Sequence, residues 1–119
     1  MQFDPMIPIW LQVMEDLEVG IITGKHPPGS KLPGGRETAV QYGINPNTAA
    51  RVYQELEKLG LSETRRGLGS FVTEDGALIA RVREQLAGKA VDRCMRDLAR
   101  LGVERSAAIQ MLLEREEKN

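Results

Sequence analysis

The sequence predicts an α+β fold, with three short helices and a β-hairpin as a head and two further helices as a tail. Apolar residues recur at three- and four-residue spacing through most of the chain, the helical period. Two short β-prone runs, residues 61–64 and 70–73, flank RRGLG, a turn with two glycines. Beyond the polar connector TEDGA the pattern becomes one long apolar stripe of about six turns.

Along residues 9–23, Trp10, Val13, Met14, Leu17 and Ile21 share one helical face; Pro8 stands where the helix begins and Gly24 can end it. KHPPGSKLPGG is dense in proline and glycine and reads as a loop, with His26 a solvent-exposed loop residue. A short helix over 36–42 turns Ala39 and Val40 inward, with Gly43 in the left-handed position after its end. Asn45 suits the N-cap of the next helix and Pro46 its first position, where no N–H is needed. That helix turns Ala49, Val52, Tyr53, Leu56 and Leu59 inward, and Asn47, Arg51, Gln54 and Lys58 outward. Helix, tight turn and longer helix make a helix-turn-helix, and the hairpin after Gly60, with Arg65 and Arg66 at its tip, makes a wing. The expected architecture is therefore a winged helix-turn-helix domain over residues 1–75, followed by a short two-helix C-terminal dimerisation tail over 76–119.

The tail carries Leu78, Val82, Leu86, Val91, Cys94, Leu98 and Leu101 on one stripe, then Ala108, Ile109, Leu112 and Leu113 on a helix over 105–117. Two such helices cannot bury their apolar faces alone. A second copy across a two-fold axis is the economical partner, so a homodimer through residues 77–117 is expected. Cys94, on the stripe, is expected to be a small buried hydrophobe.

At 119 residues the chain suits one modest domain with an arm. No apolar run approaches the ~20 residues of a membrane span, and MQFDPMIPIW lacks the basic start of a secretory signal, so a cytoplasmic location is expected. One Cys and one His exclude an internal disulfide and a multi-cysteine metal site, and leave no set of nucleophile, base and orienting group. Neither enzyme activity nor a cofactor or metal is expected. Net charge is −1, against an indiscriminate nucleic-acid binder. Residues 1–75 hold seven Lys and Arg against ten Asp and Glu, net −3, while 76–119 are net +2. Binding to DNA would then rest on local cations, Lys31, Arg36, Arg51, Arg65 and Arg66, with acidic groups turned away.

Residues 8–72 resemble the DNA-binding domain of GntR-family transcriptional regulators. The resemblance is carried, in order, by the Pro-Ile-aromatic helix start, the G-x-x-x-P-G-x-x-L-P loop, the Arg36-Glu37 pair, GINPNT, the L-E-x-x-G-L helix end and RRGLGSFV. The short tail and the N-P-N-T-x-x-R-x-Y-x-x-L-E stretch resemble the YtrA-like subfamily. The resemblance implies DNA contacts at Arg36, at Asn45, Asn47 and Thr48, and at Arg66 and Gly67. Several family members have arginine where Pro46 and Ala50 stand here, and Ser where Gly34 stands; Arg51 is the substitute candidate, and Arg65 joins the wing tip. The expected function is a sequence-specific regulator and repressor that binds double-stranded DNA at an inverted-repeat operator as a homodimer. The tail is too short to enclose a ligand pocket within one chain, so any unknown small-molecule effector is expected to bind between subunits or between tail and winged domain. The alternative is a winged-helix protein-interaction module without DNA binding, which the acidic first half favours.

Overall fold

The computed structural model describes residues 1–115, which form two compact units, Met1–Val82 and the residues from Arg83 onward. The first unit contains α1 (Ile9–Ile22), α2 (Gly35–Tyr42), α3 (Pro46–Lys58), β1 (Ser62–Arg65), β2 (Gly69–Val72) and the start of α4 (Gly76–Arg100). This is the expected winged helix-turn-helix.

Its core is aliphatic: Val13, Leu17 and Ile21 of α1, Ala49, Val52 and Leu56 of α3, with Leu32, Leu61 and Val72 closing it. Each fully buried Val, Leu or Ile contributes roughly 1.5–3 kcal/mol. Before α1, the Gln12 amide clasps the N-terminal segment: Asp4 N–H donates to Gln12 Oε1, and Gln12 Nε2 donates to the Asp4 and Ile7 carbonyls, each at 2.9 Å.

α2 corrects the expected inward pair. Val40 is 84% exposed, and Thr38 is buried beside Ala39 instead. An eight-residue helix buries only a narrow arc, and Thr38 occupies it because its hydroxyl has a partner there, Tyr53 Oη at 2.9 Å. Tyr53 in turn donates to the Pro33 carbonyl. Since that carbonyl can only accept, the Tyr53 proton points to it and Thr38 is the donor to Tyr53. Burial pushes the Tyr53 pKa up, which keeps the phenol a neutral donor. Tyr42 Oη donates to Asp16 Oδ2 at 2.5 Å and ties α2 to α1; burial first, and that bond second, raise its pKa.

α2 closes as the sequence predicts, with Gly43 left-handed at φ 66° and Ile44 N–H returning 2.9 Å to the Ala39 carbonyl. At the end of α3, Leu59 is not inward as expected but exposed. The chain reverses at Gly60, Leu61 N–H bonds back to the Leu56 carbonyl at 3.1 Å, and Leu61 takes the core position.

The proline-rich connection is a loop only in part. Its end lies along β2: Leu32 N–H donates to Ser70 O and Val72 N–H to Ser30 O, both at 2.8 Å, and Lys31 bridges to Phe71. His26 is partly buried rather than solvent-exposed. Its ring lies where a Cβ on Gly20 would stand, 2.7 Å from His26 Cδ2, so the close approach depends on glycine. Burial, and then neighbouring Lys25, lower the His26 pKa against a smaller opposing pull from Asp16.

α4 runs unbroken through Gly88, and its start at Asp75 is capped by a bond from Leu78 N–H to Asp75 Oδ1 at 3.1 Å. Ile79 and Val82 are buried, so the first compact unit reaches seven residues beyond the 75/76 boundary read from sequence. In the second unit α4 continues to Arg100, turns through Gly102, and is followed by α5 (Arg105–Arg115). Residues 116 and 117, the expected end of that helix, lie outside the described residues. Ala108 is buried, but Ile109, Leu112 and Leu113 are exposed, and so are Val91, Leu101 and Cys94. Among the described residues of this unit no further layer covers these side chains. Among the described residues no helix is long and apolar enough to cross a membrane.

Candidate nucleic-acid interface

α3 starts as its first four letters dictate. Asn45 is extended (φ −64°, ψ 138°) and its Oδ1 accepts from Asn47 N–H at 2.8 Å, while Pro46 occupies the first helical position. Asn45 is thus committed to capping through its side-chain oxygen, and its amide N–H groups remain. Asn47, Ala50, Arg51, Gln54 and Lys58 are exposed along α3, and Thr48 is half-buried. Asn47 and Arg51, four residues apart, stand one above the other on a single stripe. The acidic groups of α3 are engaged elsewhere: Glu55 pairs with Lys58 at 3.2 Å, and Glu57 accepts from Thr64 N–H at 3.1 Å. That bond fastens the C-terminal half of α3 to β1.

α3 packs on α2 and on β1, so the three candidate elements are held on one another. Arg36 is exposed in the first turn of α2, where Gly34 at the N-cap offers no side-chain oxygen. The wing pairs Ser62 with Val72, Glu63 with Phe71, Thr64 with Ser70 and Arg65 with Gly69. Leu68 N–H donates to the Arg65 carbonyl at 2.8 Å, and Gly67 has φ 77°, the third position of a turn that needs a left-handed residue. Arg66 is exposed at this turn.

The two wing arginines differ. Arg65 ends β1, its guanidinium 4.1 Å from the centroid of Phe71 and bonded to Glu63 Oε1 from Nε (3.1 Å) and Nη2 (2.8 Å). Glu63 was not singled out from sequence, although residues two apart on a strand share a face, which is the signal that would have found it. We expect Glu63→Gln to free Arg65 for phosphate, raising affinity for random-sequence duplex severalfold and steepening its salt dependence by up to about one ion. A salt titration measures both; no change in either would remove Arg65 from the interface. Lys31, exposed and bridged to Phe71 on the adjoining edge, adds a cation to the wing's side of the unit.

A helix-turn-helix closed by a β-hairpin, with a polar second helix and cations at the hairpin tip, defines a winged-helix DNA-binding protein. Residues 10–72 match the bacterial regulatory proteins of the gntR family, and the chain belongs to that family. It is 33% identical over 109 residues to the uncharacterized HTH-type transcriptional regulator YhcF of Bacillus subtilis, covering 92% of this chain and 90% of YhcF. It is 34% identical to the HTH-type transcriptional repressor YtrA of the same organism, covering 76% of each chain. Among solved structures, a GntR family transcriptional regulator from Listeria monocytogenes superposes with a TM-score of 0.87 at 30% identity, over 94% of this chain and 98% of that one. The DNA-binding domain of AraR, in complex with operator ORX1, superposes on 61% of this chain and 93% of its own with a TM-score of 0.58 at 30% identity. The protein is therefore a GntR-family DNA-binding transcriptional regulator, and not an enzyme.

Proposed function

We propose that this regulator is a repressor that binds an inverted-repeat operator as a homodimer, reading it with the N-terminal half of α3. The observation that carries the reading is the exposed stripe of α3, where the side-chain donors of Asn47 and Arg51 have no hydrogen-bond partner among the described residues. Asn and Arg are the residue types that pair bidentately with adenine and guanine edges in the major groove. Arg36, Asn45, Thr48, Arg65, Arg66 and Gly67 complete the proposed surface, chiefly through phosphate. The repressor role is supported by the similarity to YtrA, named a repressor.

Dimerisation is assigned to residues 76–119 because their exposed apolar side chains need cover: Val91 is 60%, Leu101 73% and Leu113 57% exposed in the single chain. A two-fold dimer presents two recognition helices in opposite senses, so its half-sites should be inverted and centred about one helical turn, or a multiple, apart. An effector acting on such a dimer needs only to change the separation of the two helices. Selecting bound fragments from a random duplex pool tests the operator; enrichment of direct repeats would contradict the symmetry.

Arg36→Ala and Arg66→Ala are each expected to weaken binding to the selected duplex about tenfold and to lower the salt slope by about 0.9. Both residues are exposed, so thermal unfolding should be unchanged. Wild-type affinity together with a wild-type slope would take that arginine out of the surface.

A further inference from the structure

Arg51 is exposed, yet its guanidinium is placed: it lies over the Trp10 ring of α1, 4.1 Å from the centroid. Trp10 is half-buried at the second position of α1, and α1 packs along α3. Stacking uses the face of the guanidinium and leaves its five N–H donors, which point outward in the plane, unconsumed. Among the described residues no hydrogen bond or ion pair occupies them. Arg65 is the contrast, since it is also stacked on an aromatic ring but gives N–H groups to Glu63.

We infer that Trp10 is a positioning residue for DNA binding: it holds Arg51 in one rotamer, with its donor edge free for a phosphate or base edge one turn beyond Asn47. This rests on the reading of α3 as the DNA-contacting helix. A long, exposed arginine loses side-chain freedom when it binds, and a platform that has already fixed it removes much of that loss from the binding step. Tryptophan is the strongest of the aromatic rings for this contact, tyrosine and phenylalanine are weaker, and an aliphatic side chain fills the space but offers no π face.

The test uses the full chain and duplex selected by the wild-type protein from a random pool, with affinity measured across a salt series and thermal unfolding measured in parallel. Arg51→Gln is expected to lower affinity about tenfold and the salt slope by about 0.9. Trp10→Leu should lower affinity about three- to fivefold and flatten the slope partway, Trp10→Tyr should restore most of both, and Trp10→Leu should add nothing in the Arg51→Gln background. Trp10→Tyr and Arg51→Gln must unfold near the wild-type temperature for the comparison, and the double-variant result is independent of a common stability loss. Additive losses from Trp10→Leu and Arg51→Gln, or an unchanged salt slope in Trp10→Leu, would overturn the platform. Asn47→Ala separates the two levels: if it weakens binding while Trp10→Leu does not, α3 reads DNA and the platform is wrong. If neither Asn47→Ala nor Arg51→Gln matters, the reading of α3 falls and the platform falls with it.

Discussion

Cutting the chain after Val82 is expected to give a folded monomer whose affinity for a full operator is lower by about 10²–10⁴, because the second half-site is no longer bound intramolecularly. The cut follows the boundary between the two compact units. It keeps Ile79 and Val82, which are buried, and Leu78, whose Cδ2 lies 3.1 Å from where a Cβ on Gly60 would stand. A cut after Thr73 would remove all three. It should therefore lose stability, up to roughly 1.5–3 kcal/mol per buried side chain, as well as dimerisation. Sedimentation and operator titration of the Val82 truncation decide the matter. A truncated protein that still dimerises at micromolar concentration would refute the assignment of the dimer contact to the tail.

Tyr53→Phe is expected to destabilise the protein by about 1–3 kcal/mol, because one oxygen serves two partners. Its loss leaves the Thr38 hydroxyl, buried at 0% exposure, without the acceptor it points to, and removes the donor to Pro33. For a unit of this size the midpoint of thermal unfolding should fall by roughly 5–15 °C. Thr38→Val in the same background should recover part of the loss, since removing both polar partners of a buried bond is less damaging than removing one. A single variant that melts with the wild type would show that water replaces the phenol. The lock joins the end of the loop before α2, α2 itself and α3, so its loss should also weaken DNA binding by loosening the angle between the two helices.

Much of this architecture was legible in the sequence because local signals agreed with one another. Asn45 and Pro46 both mark a helix start, Gly43 and Gly60 both mark helix ends, and the turn of the 62–72 hairpin carries Gly67 and Gly69. What was not legible depended on partners distant in sequence. Val40 is the more apolar neighbour of Thr38, and nothing local reveals that Tyr53, fifteen residues on, makes Thr38 the inward one. The pairing of residues 29–32 with β2 was hidden by prolines and glycines that read as loop, although their backbone supplies the bonds. At the candidate site the residue types were readable, but their states were not. The sequence places Arg51 and Arg65 alike as exposed cations, and only the fold sets one on Trp10 with its donors free and the other against Glu63.

The Glu63–Arg65 pair also bears on how such a regulator spends its time. A genome offers about 10⁶–10⁹ competing sites, so what matters is the ratio of specific to non-specific binding as well as the strength of either. A winged domain of net −3, with one wing arginine already answered by a carboxylate, is expected to hold arbitrary duplex weakly. Each wrong encounter is then brief, and little of the protein is sequestered along the chromosome. Fewer copies per cell would then suffice to keep an operator occupied, and occupancy would recover quickly after the operator is vacated, because the search would proceed through many short visits.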